Sequence, residues 1–255
     1  MFDYLDCHAH IAEILKDGNC RREEAEELFS LLERNALLGG SDYSVLASCH
    51  SMEEFYAVSQ LKEKFPDKIG ISFGSLAQNP SLEVVAQLET LLSDSEKCGD
   101  TAQKIDAGNQ ITAGTQIDAI GECGIDLFTS ELRSTLDLQR EVFRAQIELA
   151  VRYQKPLVIH QRKAMAEIFS LAPSLSQVSA VLFHGYSGTA IEAQTILNKG
   201  VNAYFSFGKS VIRGDRKTAA CLATLPRERL RFETDSPYQL PPQAIFDILR
   251  LCAKT

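Results

Sequence analysis

The feature that most constrains this chain is an alternation that runs through nearly all of it. Short apolar runs, often β-branched, trade places with longer segments of helical period. The runs are "DYLDCH", "YSVLASCH", "KIGISFGS", "IDAIGEC", "KPLVIH", "SAVLFH", "VNAYFSFG" and "LRFETDSPY". Between the first two lies "RREEAEELFSLLERNALL", where Ala25, Leu28, Leu31, Leu32 and Ala36 recur near helical spacing. "SMEEFYAVSQLKEKF" begins at Ser51 with Glu54 three residues on, a capping-box start. Pro80 introduces a further helix, "SLEVVAQLETLLSD". The stretch "ELRSTLDLQREVFRAQIELAVRY" predicts one long helix with Leu132, Leu136, Phe143, Ile147 and Ala150 along one side. Shorter helices are expected near Ala164 to Leu171, over "TAIEAQTILNKG" with Gly200 at the C-cap, near Asp215 to Leu225, and after Pro241 and Pro242.

Strand-then-helix units in this number predict an α/β chain folded as a (β/α)8 TIM barrel, with a doubly wound open sheet as the other arrangement. Glycine-rich phosphate fingerprints of the dinucleotide or P-loop type, which accompany many doubly wound sheets, do not occur. That leaves the barrel. Its usual size suits residues 1–255 as a single domain. One stretch breaks the rhythm: residues 98–116, "CGDTAQKIDAGNQITAGTQ", are rich in Gly, Thr and Asp without periodicity, and read as a polar excursion of that domain.

Composition excludes some partners. The formal net charge is −8, so the chain is not expected to coat nucleic acid non-specifically, which calls for a basic surface. An acidic protein can still act on phosphodiesters where metal ions bring local positive charge. No apolar run is long enough to span a bilayer, and Phe2, Asp3 and Tyr4 lack the basic start of a signal peptide. Seven scattered cysteines without CxxC pairs favour free thiols in a reducing, cytoplasmic setting.

The chain has five histidines, and each falls where a predicted strand gives way to its loop. His8 and His10 close the first, His50 the second, His160 the fifth and His184 the sixth. In a strand, residues two apart share a face, so His8 and His10 project together. In a barrel these ends converge on the rim where active sites are built. Glu122, between glycines in "AIGECGID", ends the fourth strand, and Asp235 in "RFETDSPY" ends the eighth. Histidine with carboxylate is the usual ligand mix for zinc, manganese or a mixed two-metal hydrolytic centre. Each residue taken alone has a plainer reading, as a hydrogen-bonded loop histidine, a helix cap or a turn. Their joint placement at one rim favours a metal centre.

"DCHAH", "IGECGID", "KPLVIHQR", "FHGYSG" and "FETDSPY", in this order, together resemble the TatD-like metal-dependent hydrolases of the amidohydrolase-type barrel superfamily; "Q...F..QIELA" before "KPLVIH" adds to the likeness. The resemblance implies two divalent ions (Mg, Mn or Zn). His8 and His10 would hold one with Asp235, His160 and His184 the other, and Glu122 would bridge them. It implies metal-dependent phosphodiester hydrolysis, of the 3′-to-5′ exonuclease type of deoxyribonuclease, with a metal-activated water. Asp235 would take its proton and Arg162 would pair with a phosphate oxygen. Asp6 would orient a ligand from behind. DNA or another phosphodiester would be bound transiently, without a dedicated nucleic-acid-binding domain.

Two other functions stay open at this level. Related barrels hydrolyse or deaminate amides, and their two-metal members often bridge the ions with a carboxylated lysine where this chain has Glu122. A degenerate barrel that keeps its metals without nuclease activity is the third. Two departures from the family pattern are visible: "GISFGSLAQNP" lacks the histidine usual after the third strand, and Gly185 and Tyr186 stand where Cys and Phe are common. His50 has no metal role in the pattern and is expected to hydrogen-bond near the rim. Strict alternation turns Cys7 and Cys123 away from the cleft as packing residues.

Overall fold

The computed structural model describes residues 2, 4–11, 44–98 and 116–235. The expected helix over "RREEAEELFSLLERNALL", nearly all of the polar excursion and the helix after Pro242 lie outside the described residues.

Eight strands form one parallel sheet in chain order, β1 to β8. They are Asp6–Ala9, Val45–Cys49, Ile69–Phe73, Ala119–Asp126, Leu157–Arg162, Val181–Phe183, Ala203–Phe207 and Leu230–Phe232. The helices between them are α1 (Met52–Lys64), α2 (Leu82–Cys98), α3 (Ser130–Ser134), α4 (Leu136–Arg152), α5 (Met165–Leu175), α6 (Ala190–Asn198), α7 (Lys209–Ile212) and α8 (Arg216–Thr224). The sheet curls until its ends meet. Asp235 N–H donates to His8 O at 3.1 Å, and Asp6 accepts from both Thr234 N–H (2.9 Å) and Thr234 Oγ1 (2.7 Å). This is the TIM barrel that the alternation predicts.

Two apolar clusters mark the two faces of the strands. The larger joins Val45, Ala47, Ile71, Ile159, Phe183 and Phe205 to helix residues such as Phe55, Leu88, Phe143 and Ile168. The smaller contains no helix residue: Leu46, Val158 and Leu182 meet Phe2, Cys7, Ala119 and Ala180 inside the barrel. Cys123 faces the helices as alternation requires. Cys7 does not. The register of β1 on β2 shifts between Asp6 and Ala9, and that shift turns Cys7 into the barrel interior beneath the rim. Both thiols are fully buried packing groups.

The long helix expected across residues 131–153 is two helices. At Thr135, backbone N–H and Oγ1 both donate to Leu132 O (3.2 and 3.0 Å), closing α3 before α4 starts. Gln139 adds a bond from Nε2 to the same carbonyl at 2.8 Å. Leu132 and Leu136 are consequently only half-buried, while Phe143, Ile147 and Ala150 are buried as expected. Helix α5 runs on to Leu175 with Pro173 inside it, because the turn closes without that N–H: Ser176 N–H donates to Ala172 O at 2.9 Å. Ser51 caps α1, and the Glu54 carboxylate accepts from His50 N–H (2.5 Å), one residue before the Ser51 N–H that a capping box uses.

Candidate metal centre

The rim is held by side chains that anchor backbone. Gln139 clamps the end of β4, its Oε1 accepting from Asp126 N–H at 2.8 Å and its Nε2 donating to Asp126 O at 3.2 Å. Gln146 does the same for the loop after β3, bonding Ser75 N–H (2.8 Å) and Ser75 O (3.2 Å). These are the two glutamines of "Q...F..QIELA", and both are buried.

Glu122 lies at the middle of the centre. The register of β4 on β5 shifts between Ile120 and Cys123. Ile120 and Cys123 both pack toward the helices, so the residue gained between them turns Glu122 inward. Its two oxygens serve two groups. Oε2 stands 3.2 Å from His8 Nε2 and 3.6 Å from His10 Nε2. Oε1 stands 3.0 Å from His160 Nδ1 and 3.2 Å from His184 Nε2. Those two imidazole nitrogens are themselves 3.2 Å apart, completing a small triangle. Asp235 Oδ1 approaches His10 Nε2 at 3.7 Å and His8 Nε2 at 4.0 Å. Asp235 adopts a left-handed φ of 44°, a region Asp tolerates better than most residues. The Lys209 ammonium donates to its carbonyl at 3.1 Å.

Charge balance follows from this geometry. Burial pushes the Glu122 carboxyl up, but the imidazoles of His184, His160 and His8 outweigh it and hold the pKa well below the usual range. Burial disfavours the His184 cation, yet Glu122 and Glu233 raise its pKa well above the ordinary value. His160 is raised in the same way by Asp126 and Glu122, and His10 by Asp235 and Glu122. His8 goes the other way, lowered by burial and by the neighbouring His184, whose ring stacks on it at 4.1 Å between centroids. Asp235 is held at about 2: burial raises it, but the nearby His10 imidazole and the charges of His8 and His184 win.

The residues present fit a bound cation. His8 is fully buried, and neither ring nitrogen has a hydrogen-bond partner; His184 Nδ1 is likewise without one. Orphaned nitrogens in a dry site cost stability unless something satisfies them. His8, His10 and Asp235 form one group whose donor atoms could share an ion; His8, Glu122 and His184 form another.

His50 also comes close, forming a third such group with His10 and Glu122. Its own nitrogens are engaged near the rim as expected, Nε2 with Ser48 Oγ (3.2 Å) and Nδ1 with Gly74 O (3.1 Å). Burial lowers its pKa to about 4. Asp6 lies behind the centre, where its bonds to Thr234 join the strand ends that carry His8 and Asp235. Arg162 is exposed, its guanidinium stacked 3.6 Å over the Phe128 ring.

Three further residues belong to the site. Asp126 Oδ2 bonds His160 Nε2 at 3.0 Å, and Gln78 Nε2 stands 3.2 Å from the same nitrogen. Gln78 comes from the loop that lacks the family's usual histidine. Glu233, fully buried, accepts from Gly185 N–H (2.6 Å) and from Ser206 Oγ, and lies 3.8 Å from His184 Nδ1. Glu233 directly follows the last residue of β8, two positions before Asp235.

The family profile "TatD related DNase" matches residues 5–248. An "Uncharacterized metal-dependent hydrolase TatD" of Mycobacterium tuberculosis is 32% identical over 240 residues, covering 93% of this chain and 81% of its own length. The "Uncharacterized metal-dependent hydrolase YabD" of Bacillus subtilis is 32% identical over 134 residues (52% of this chain, 51% of that protein). The "3′-5′ ssDNA/RNA exonuclease TatD" of Edwardsiella piscicida is 36% identical over 124 residues (48% and 47%). The match thus spans about half the length of these last two relatives. Among solved structures, the Escherichia coli TatD homologue YJJV superposes with a TM-score of 0.70 at 21% identity, over 99% of this chain and 91% of that one. A TatD family hydrolase from Entamoeba histolytica gives 0.65 at 22% identity (92% and 74%). At those identities the likeness is one of fold.

Proposed function

This chain belongs to the TatD-related DNase family, and from that premise we propose that it is a two-metal phosphodiester hydrolase acting as a 3′-to-5′ exonuclease on DNA. The observation that carries this reading is the division of Glu122, one oxygen to the His8–His10 pair and the other to the His160–His184 pair. A carboxylate so placed suits two cations sharing it, with Asp235 on the first and the two remaining imidazoles on the second. Magnesium, manganese and zinc all accept such ligands. Ions bound there would polarise the scissile phosphate and acidify a water, as in two-metal hydrolytic centres generally.

The chain's own residues supply the rest. Asp235 has a side chain 42% exposed, so it stands where substrate and solvent enter, ionised at neutral pH and placed to accept a proton from the attacking water. Arg162, two residues past His160, offers a fork of donors to a phosphate oxygen. A glutamate at the end of β4, rather than a lysine, favours phosphodiester over amide chemistry. Among the described residues no helix is long and apolar enough to cross a membrane. We place the protein in the cytoplasm as one barrel domain, a placement supported by its free, buried thiols Cys7, Cys49, Cys123 and Cys221.

End-labelled single-stranded DNA tests this directly. Metal-stripped protein should be inert, and Mg2+ or Mn2+ should restore laddering from the 3′ end. Glu122→Gln, which removes the shared charge but keeps the shape, should lower the rate at least a hundredfold. Cleavage that survives chelation, or an undiminished Glu122→Gln enzyme, would refute the reading.

A further inference from the structure

A groove borders the centre on its His160–His184 side, and of its walls only Arg162 enters the chemistry above. It encloses about 540 Å3, with Phe128, Arg162, Lys163, Ser187, Glu192 and Lys217 in its walls, a volume within the range of ligand clefts, about 300–1,000 Å3. Its walls continue the strands that carry the site. Phe128 lies two residues past Asp126, Arg162 and Lys163 follow His160, and Ser187 follows His184 by three.

The groove is basic in an acidic protein. It has three cations and one carboxylate, and that carboxylate is already engaged: Glu192 Oε2 accepts from Thr189 N–H (2.6 Å) and Thr189 Oγ1 (2.8 Å) to cap α6. Among the described residues, Arg162, Lys163 and Lys217 make no ion pair or side-chain hydrogen bond. Phe128 is 46% exposed. Arg162 and Lys163 are consecutive, yet both face that ring, the guanidinium carbon at 3.6 Å and the ammonium at 5.6 Å from its centroid. A left-handed backbone at Lys163, φ 53°, accompanies this placement and is uncommon for a residue with a side chain. An exposed aromatic–guanidinium stack flanked by lysines combines the two parts of single-strand recognition, a stacking surface and backbone charge.

We propose that this groove holds the nucleotide adjoining the scissile bond of a single-stranded nucleic acid, its base on the Phe128–Arg162 stack and its phosphate beside Lys163 and Lys217. The proposal rests on the phosphodiesterase reading but is testable apart from it. Fluorescence anisotropy of a labelled ten-nucleotide oligothymidylate, titrated with metal-stripped full-length protein, reads binding without turnover. An abasic ten-mer of the same charge reads the contribution of the bases. Phe128→Ala should weaken oligothymidylate binding about tenfold, within the range for loss of one stacked base, and should abolish the preference over the abasic strand. Lys163→Ala with Lys217→Ala should lessen the slope of log K on log salt by about 0.7, the value for one phosphate on a single strand. Arg144→Ala, a charge removed from the helix layer, should leave that slope unchanged. Oligothymidylate binding by Phe128→Ala and by the lysine pair within twofold of wild type would overturn the proposal, as would wild type that binds both strands equally. Wild-type hydrolysis of bis(p-nitrophenyl) phosphate with Mn2+ separately reports on the phosphodiesterase reading, so either can fall alone.

Discussion

At the scale of single residues, the metal-free centre is a store of opposed charges whose protonation sets its stability. His10, His160 and His184 have raised pKa values, so their contribution is complete below the unfolded value near 6.5 and is lost as pH rises through the folded values. Asp6, which burial pushes to about 7 against the bonds from Thr234, acts in the same direction. Glu122 and Asp235 are lowered; their contribution is present above the ordinary carboxylate range and vanishes as pH falls through the folded values. Metal-stripped protein should therefore show a urea midpoint that drops between pH 6 and pH 9. A midpoint that rises over that interval would contradict the charge assignment. His8, His10, Glu122, His160, His184 and Asp235 were legible in the sequence because strand ends in a barrel converge whatever the loops do. Asp126, Glu233 and Gln78 were not singled out, because their partners lie on other segments: Glu233 is fixed by Gly185 and Ser206, and Gln78 finds His160 from a loop without periodicity.

At the scale of elements, β4 decides where the chemistry stands. Hydrophobic periodicity located this strand but could not show its register shift, since a one-residue offset leaves composition untouched and changes only facing. The same blindness hid the turn at Thr135, where a side-chain bond to Leu132 O ends a helix whose apolar pattern continues. Gly124 tests how tightly β4 is set against β5. Its φ is 137°, and a methyl group there would come within 2.0 Å of His160 O. Gly124→Ala should cost about 1–3 kcal/mol for overpacking and about as much again for backbone strain, lowering Tm by roughly 5–20 °C. Gly214→Ala, at φ 65° with nothing within 4 Å, should show only the conformational part. Equal losses in the two variants, read by calorimetry, would mean that backbone preference alone is at work and that the β4–β5 seam is not close-packed.

For the whole molecule, the barrel is closed at the junction of its first and last strands, and the centre sits across that junction. A cation that binds only the folded form should raise stability by about 2.7 kcal/mol at a hundredfold excess over Kd, or roughly 5–10 °C in Tm. Scanning calorimetry with chelator and then with Mn2+ measures it; an unchanged Tm would show that the imidazoles do not share an ion. Asp6 and Thr234, which join those strands, are 228 positions apart in the chain. A nascent polypeptide presents His8 and His10 first and gains Glu122, His160 and His184 in turn, and the set is complete only when Asp235 has emerged. The centre therefore cannot assemble before the 228 positions that separate Asp6 from Thr234 have been made, and a chain that stops short of Asp235 lacks one carboxylate of the candidate site.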